Sequence, residues 1–134
     1  KPLMIASPRT KAVNKFLIAY DGSPSANKAV EFVASNPLLK GLECHLLNVG
    51  EATTEAQENV KQAEDKIKSA DMDTLSVFRQ GKPVEKIVAE YITANHINLL
   101  IIGAYGHSKI RSMILGSTTT GLIRESDVPL LLFR

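Results

Sequence analysis

Five short apolar runs, separated by stretches of helical period, leave this chain few architectures. The runs are Phe16–Tyr20 (FLIAY), Leu42–Val49 (LECHLLNV), Thr74–Phe78 (TLSVF), Leu99–Gly103 (LLIIG) and Pro129–Phe133 (PLLLF). Each has the length of a strand, and the gaps between them have room for a helix. In the first gap Ser23-Pro24 supplies an N-cap and a first-turn proline. Ala26, Ala29, Val30 and Val33 then repeat on one face until Asn36-Pro37 stops the helix. The spacing predicts a second helix from about Thr54 through Val60, Ala63, Ile67 and Ala70, and a third opening at Pro83 and running through Val84, Ile87, Val88, Tyr91 and Ile92. A fourth is expected from Ser117 to about Ser126. Strands alternating with helices of this length predict an α/β domain: a doubly wound, five-stranded parallel sheet with helices on both faces, Rossmann-like.

The strand order follows from how polar each run is. The first and fourth runs are nearly unbroken apolar segments, as expected where helices cover both faces, so they belong at the centre. The third mixes polar and apolar positions, and the fifth begins on Pro129, a residue suited to an edge. Counting the runs along the chain, the order 3-2-1-4-5 meets these constraints with right-handed crossovers. In such a sheet the winding reverses between the first and fourth runs, and ligands bind beyond the carboxyl ends of the strands at that switch point. The loops placed there are Asp21-Gly22-Ser23 and the stretch GAYGHSKIRSMILGS, Gly103–Ser117.

Gly103 closes an apolar run, Gly106 follows it, and Gly116-Ser117-Thr118 opens the last predicted helix. Glycine lets backbone approach a ligand without a Cβ and can aim successive amides at one anion. A helix N-terminus adds unpaired N–H groups and a favourable dipole, with the Ser117 and Thr118 hydroxyls as further donors. Together these features predict a di- or triphosphate site. Neither a Walker A loop nor a dinucleotide fingerprint is present, since no Gly-Lys-Ser/Thr occurs and the glycines follow the fourth run rather than the first. Taken singly, each glycine is explained as well by a turn, and Ser117 by a helix cap.

The spacing Gly103, two residues, Gly106, nine residues, Gly116-Ser117 resembles that of the nucleotide-binding universal stress proteins. FLIAYDGS near the start and VPLLLFR at the end are similar to that family's first and last strands, and the resemblance runs from about Lys15 to Arg134. It implies an adenine nucleotide alpha hydrolase-like fold that binds ATP, or AMP or ADP, in a stress-response regulator acting through dimerisation or partner binding. It places Asp21 near ribose or phosphates, with any Mg²⁺ contact made only through the nucleotide. Ala19 and Val49 would border the base, and Gly103, Gly106, Gly116, Ser117 and Thr118 would surround phosphate and ribose. Tyr105 stands where the family often has His, a departure that bears on adenine or ribose packing more than on phosphate. The alternatives are a dimerisation or scaffold module without nucleotide, and a slow ATPase or autokinase.

Other residues add little chemistry. Asp21 also suits an Asx turn before the first helix. Lys109 and Arg111 are equally suited to a terminal phosphate and to open solvent. His107 has no orienting carboxylate in reach of sequence argument, and His45 and His96 share no metal-ligand spacing with Cys44 or each other. Thr118, Thr119 and Thr120 read as capping residues before they read as phosphoryl acceptors. No triad or paired carboxylates support catalysis, so at most slow ATP hydrolysis or autophosphorylation is expected.

The 134 residues suit one domain, and 44% hydrophobic with 22% charged residues can bury a core. A net charge of +2 is too mild for an electrostatic grip on nucleic acid. No apolar run is long enough to span a membrane, and one cysteine inside an apolar run suits a reducing cytoplasm. The start KPLMIA is similar to the last run, VPLLLF, so Lys1–Ala6 is expected to be the last strand of a preceding domain. Residues 1–14 are then a linker or remnant, and 15–134 the universal stress domain of a tandem protein. The Pro129–Phe133 edge is expected to pair with a second subunit or with Pro2–Ala6, because an apolar edge invites a strand.

Overall fold

All five apolar runs enter a single sheet in the computed structural model, which describes residues 3–5, 13–103 and 128–133. Strand β1 is Leu3–Ile5, β2 Lys15–Ala19, β3 Glu43–Val49, β4 Asp73–Arg79, β5 Leu99–Gly103 and β6 Leu130–Phe133. The order is β1-β6-β5-β2-β3-β4. The strands from β4 to β6 are mutually parallel, reproducing the order predicted from polarity. The sheet also contains a sixth strand. β1 lies antiparallel on β6, with Leu3 opposite Leu132 and Ile5 opposite Leu130, so β6 is an inner strand although Pro129 marked it as an edge.

Helices α1 (Pro24–Ser35) and α2 (Thr54–Lys68) cover one face, and α3 (Val84–Asn95) covers the other. Strand alternation divides the core accordingly. Phe16, Ile18, Cys44, Leu46 and Ile101 pack with Ala26, Val30, Val33, Val60 and Ile67. Leu17, Ala19, Leu47, Leu100 and Ile102 pack with Val88, Tyr91 and Ile92. Residues 16–19 and 99–102 are buried on both faces, which is why these runs lack polar residues.

Local signals bound the helices close to where the sequence placed them, although α2 ends at Lys68, short of Ala70. Ser23 caps α1 by accepting the Ala26 N–H at 3.2 Å, and Pro24 follows at the first helical position. Asn36 stops α1 and caps the short 3₁₀ turn Pro37–Leu39, its Oδ1 accepting the Leu38 N–H at 3.0 Å. Thr53 caps α2 in the same way, accepting from Ala56 at 3.1 Å. The predicted fourth helix lies outside the described residues. No helix among the described residues is long and apolar enough to cross a membrane.

Candidate functional site

The switch point sits between β2 and β5, which pair directly from Phe16 opposite Leu99 to Ala19 opposite Ile102. From β2 the chain turns through Asp21-Gly22-Ser23 into α1, and β5 ends beside it at Gly103. A Cβ built on Gly103 would stand 2.5 Å from the Ser25 carbonyl carbon and 2.8 Å from Ala26 Cα, and would collide with the Ala26 nitrogen. The φ of Gly103 is outside the left-handed region, so glycine is needed there for close approach and not for conformation. The first turn of α1 therefore rests directly on the start of the glycine stretch.

The turn after β2 is built from its own polar groups. The Asp21 Oδ1 accepts the Ser23 N–H at 2.9 Å, an Asx turn that aims the chain into α1. Gly22 adopts φ +78°, and a Cβ there would meet Asn59 Nδ2 of α2 at 2.9 Å. The Asx-turn role expected of Asp21 is thus observed, and the turn holds its carboxylate at the sheet's carboxyl end.

A polar network missed by sequence reasoning ties these loops together. The Tyr20 hydroxyl donates to Asn27 Oδ1 at 2.6 Å, while its main-chain N–H donates to the Leu47 carbonyl at 2.8 Å. Buried Asn48 donates from Nδ2 to the Tyr20 carbonyl at 3.2 Å, linking the ends of β2 and β3. Burial, with the nearby Asp21 charge, raises the Tyr20 pKa, so its hydroxyl remains a neutral donor. The one available signal was Asn48 set between Leu46-Leu47 and Val49 at the end of LECHLLNV.

Ala19 and Val49 end adjacent strands and both lie on the α3 face, with Ala19 opposite Leu47 and Val49 one strand repeat beyond. Ala19 is buried and Val49 is partly exposed, so the rim offers an apolar wall. Ala19, Asp21, Val49 and Gly103 are thus gathered at one end of the sheet. Gly106, Gly116, Ser117 and Thr118 lie outside the described residues, as do His107, Lys109 and Arg111.

Among the described residues no cluster of His, Cys, Asp and Glu could hold a metal. Cys44 and His45 face opposite sides of β3. Burial drives the Cys44 thiol pKa far up, while the His45 ring is held at 2.5 Å by both Tyr91 Oη and Glu43 Oε2. This Glu43–His45–Tyr91 chain lies at the amino end of β3, away from the switch point.

A sequence model of the universal stress protein family matches residues 51–134. The chain belongs to the universal stress protein family. It is 36% identical along its whole length to universal stress protein Slr1230 of Synechocystis, of which it covers 47%. A universal stress protein from Archaeoglobus fulgidus superposes with a TM-score of 0.73 at 26% identity, over 98% of this chain and 48% of that one. The chain thus spans about half the length of each of these two relatives. The fold recurs in a universal stress protein in complex with cAMP, with a TM-score of 0.71 at 22% identity over 92% of this chain and 98% of that one. It recurs also in an Archaeoglobus fulgidus member in complex with dAMP, with a TM-score of 0.64 at 16% identity over 92% and 98% of the two chains.

Proposed function

We propose that this chain is a stress-response regulatory domain that binds an adenine nucleotide, ATP or its AMP and ADP relatives, where β2 and β5 diverge. The observation that carries the reading is the seating of Gly103 against the first turn of α1, which puts the start of the glycine motif beside Asp21. Relatives of the same fold in complex with cAMP and dAMP support the ligand class. On this reading Gly103 seats the loop on α1, Gly106 and Gly116 would let backbone amides approach phosphate, Ser117 and Thr118 would add hydroxyl donors, and Ala19 and Val49 would flank the base. When bound, Mg²⁺ would neutralise phosphate charge, with Asp21 reaching it through the nucleotide. Binding sets association with a partner in the cytoplasm, and no residue here is assigned a catalytic step.

The partner surface is the β6 edge. Antiparallel pairing by Leu3–Ile5 supports the reading of residues 1–14 as the last strand and linker of a preceding universal stress domain, with residues 15–134 forming the next. In a chain lacking that segment, the same edge would take a second subunit.

The test is mass spectrometry of ligand released from gently purified protein, followed by calorimetric titration of stripped protein with ATP, ADP and AMP. Saturable binding that Gly106→Val abolishes is the expected result. Stripped, folded protein that binds none of the three overturns the proposal, and binding unchanged in Gly106→Val overturns the cradle. ATP turnover lost in a Gly116 or Ser117 variant would instead favour the slow ATPase.

A further inference from the structure

β4 is the last strand of the sheet, and among the described residues nothing pairs with its outer side. The Arg79 carbonyl accepts the Gly50 N–H at 2.8 Å, so Arg79 points its main chain inward. Strand alternation then turns Val77, Leu75 and Asp73 inward as well, and leaves the N–H and C=O groups of Thr74, Ser76 and Phe78 facing out. The Phe78 carbonyl accepts from the guanidinium of Arg79 at 3.1 Å, as an outward-facing carbonyl can.

The side chains on the α3 face of this strand are Asp73, Leu75, Val77 and Arg79. Leu75 is 53% exposed, one of two large hydrophobic residues so open among the described residues. Asp73 and Arg79 are exposed at opposite ends. An exposed apolar side chain on a free strand edge is a template for another strand.

We infer that the β4 edge is a self-association surface, on which a second copy of this chain pairs its own β4 antiparallel about a two-fold axis at Ser76. This register uses the whole strand and is self-complementary. It joins the outward groups of Ser76 to those of Ser76 in the other copy, and those of Thr74 to those of Phe78. It places Leu75 against Val77, and the carboxylate of Asp73 opposite the guanidinium of Arg79 at both ends. With the two-fold axis at Val77, Asp73 faces Gly81 and Arg79 faces Leu75. With the axis at Leu75, Asp73 faces Val77 while Arg79 meets Asp71 only beyond the end of β4, so the Ser76 axis alone pairs both charges within the strand. On pairing, the Thr74 N–H of the other copy takes over the Phe78 carbonyl and Arg79 is released to Asp73. This surface is at the far end of the sheet from β6, and its existence does not depend on nucleotide binding.

The test is sedimentation velocity across a concentration series with the full chain, Asp73→Arg, Arg79→Asp and an equimolar mixture of the two variants. Each variant alone sets like charges opposite one another twice, and the dissociation constant is expected to rise about tenfold or more. In the mixture every pair is again of opposite sign, and association is expected to return. A purely structural role for either residue would not be rescued by mixing. Amide exchange of Thr74, Ser76 and Phe78 should slow as concentration rises, while Leu75 and Val77 are protected throughout. A wild-type chain that stays monomeric at about 1 mM overturns the inference. So does association that survives both single variants unweakened, or a mixture that fails to recover it.

Discussion

Gly103→Ala separates a glycine retained for packing from one that is merely tolerated. Generic reasoning gives a stabilising sign, because replacing a strand glycine whose φ is compatible with alanine gains about 0.5–1 kcal/mol. The geometry predicts the opposite. The added methyl would stand 2.5 Å from the Ser25 carbonyl carbon and 2.8 Å from Ala26 Cα, contacts that real Cβ atoms do not make. The opposing atoms are backbone, so no rotamer change relieves them, and α1 must move off the sheet. Overpacking of this kind costs about 3 kcal/mol, the upper part of its usual range. For a domain of this size that lowers Tm by roughly 10 °C. Thermal unfolding by circular dichroism, with a urea titration to verify an unchanged m-value, measures it. Adding Ala26→Gly should rescue nothing, since the clash is with main chain. A Tm equal to or above wild type, or rescue by Ala26→Gly, would refute the close approach of α1 to β5.

Ser23→Ala removes the side chain that accepts the Ala26 N–H and should cost about 1 kcal/mol in urea unfolding, whereas an unchanged midpoint would deny the cap. Asp21→Asn keeps an oxygen for the Ser23 N–H, so stability should stay within about 0.5 kcal/mol while affinity for the Mg²⁺ complex of ATP falls. Equal loss of affinity with and without Mg²⁺ would remove the metal-facing role. Cys44 is fully buried with its thiol pKa raised by burial, so thiol reagents should react only as fast as the domain opens. Reaction in native buffer at the rate of a free thiol would contradict that placement. The hydrogen bond from His45 chiefly holds the Glu43 pKa below 4.5, assisted by Lys15. A lowered acid pKa contributes stability above its ordinary value that is lost as pH falls through the folded one. The stability gap between wild type and Glu43→Gln should therefore shrink below about pH 4.5, modestly because Glu43 is 44% exposed, and a gap independent of pH would count against it.

The sheet was legible because burial on both faces leaves a simple mark: FLIAY and LLIIG contain almost nothing polar, while TLSVF does. The ends of α1 were legible for a local reason, since Ser23 acts on an amide three residues away and Asn36 stops the helix beside Pro37. What escaped was whatever depends on partners distant in sequence. Asn48 reaches the Tyr20 carbonyl across 28 residues, and His45 reaches Tyr91 across 46, so periodicity carries no trace of either bond. Spacing also located Gly103 without revealing its cause. A missing side chain records that something comes close, and the structure identifies the neighbour as the backbone of α1.

That neighbour changes how the candidate site should be taken apart. At the start of α1, Pro24 has no N–H, the Ala26 amide is used by Ser23 Oγ, and the Asn27 amide is used by the Ser23 carbonyl at 3.0 Å. The Ser23 amide is itself held by Asp21. The helix start is therefore largely satisfied by its own cap, and can offer an anion its dipole more readily than its donors. On the proposed reading, hydrogen bonds to phosphate must then come chiefly from the glycine stretch beyond Gly103, with the Asp21 turn and α1 serving as the floor on which that stretch is set. Substitutions divide along the same line. Changes at Gly103 and Ser23 should alter stability first and binding only as a consequence, while Gly106→Val should alter binding in a domain whose unfolding is unchanged.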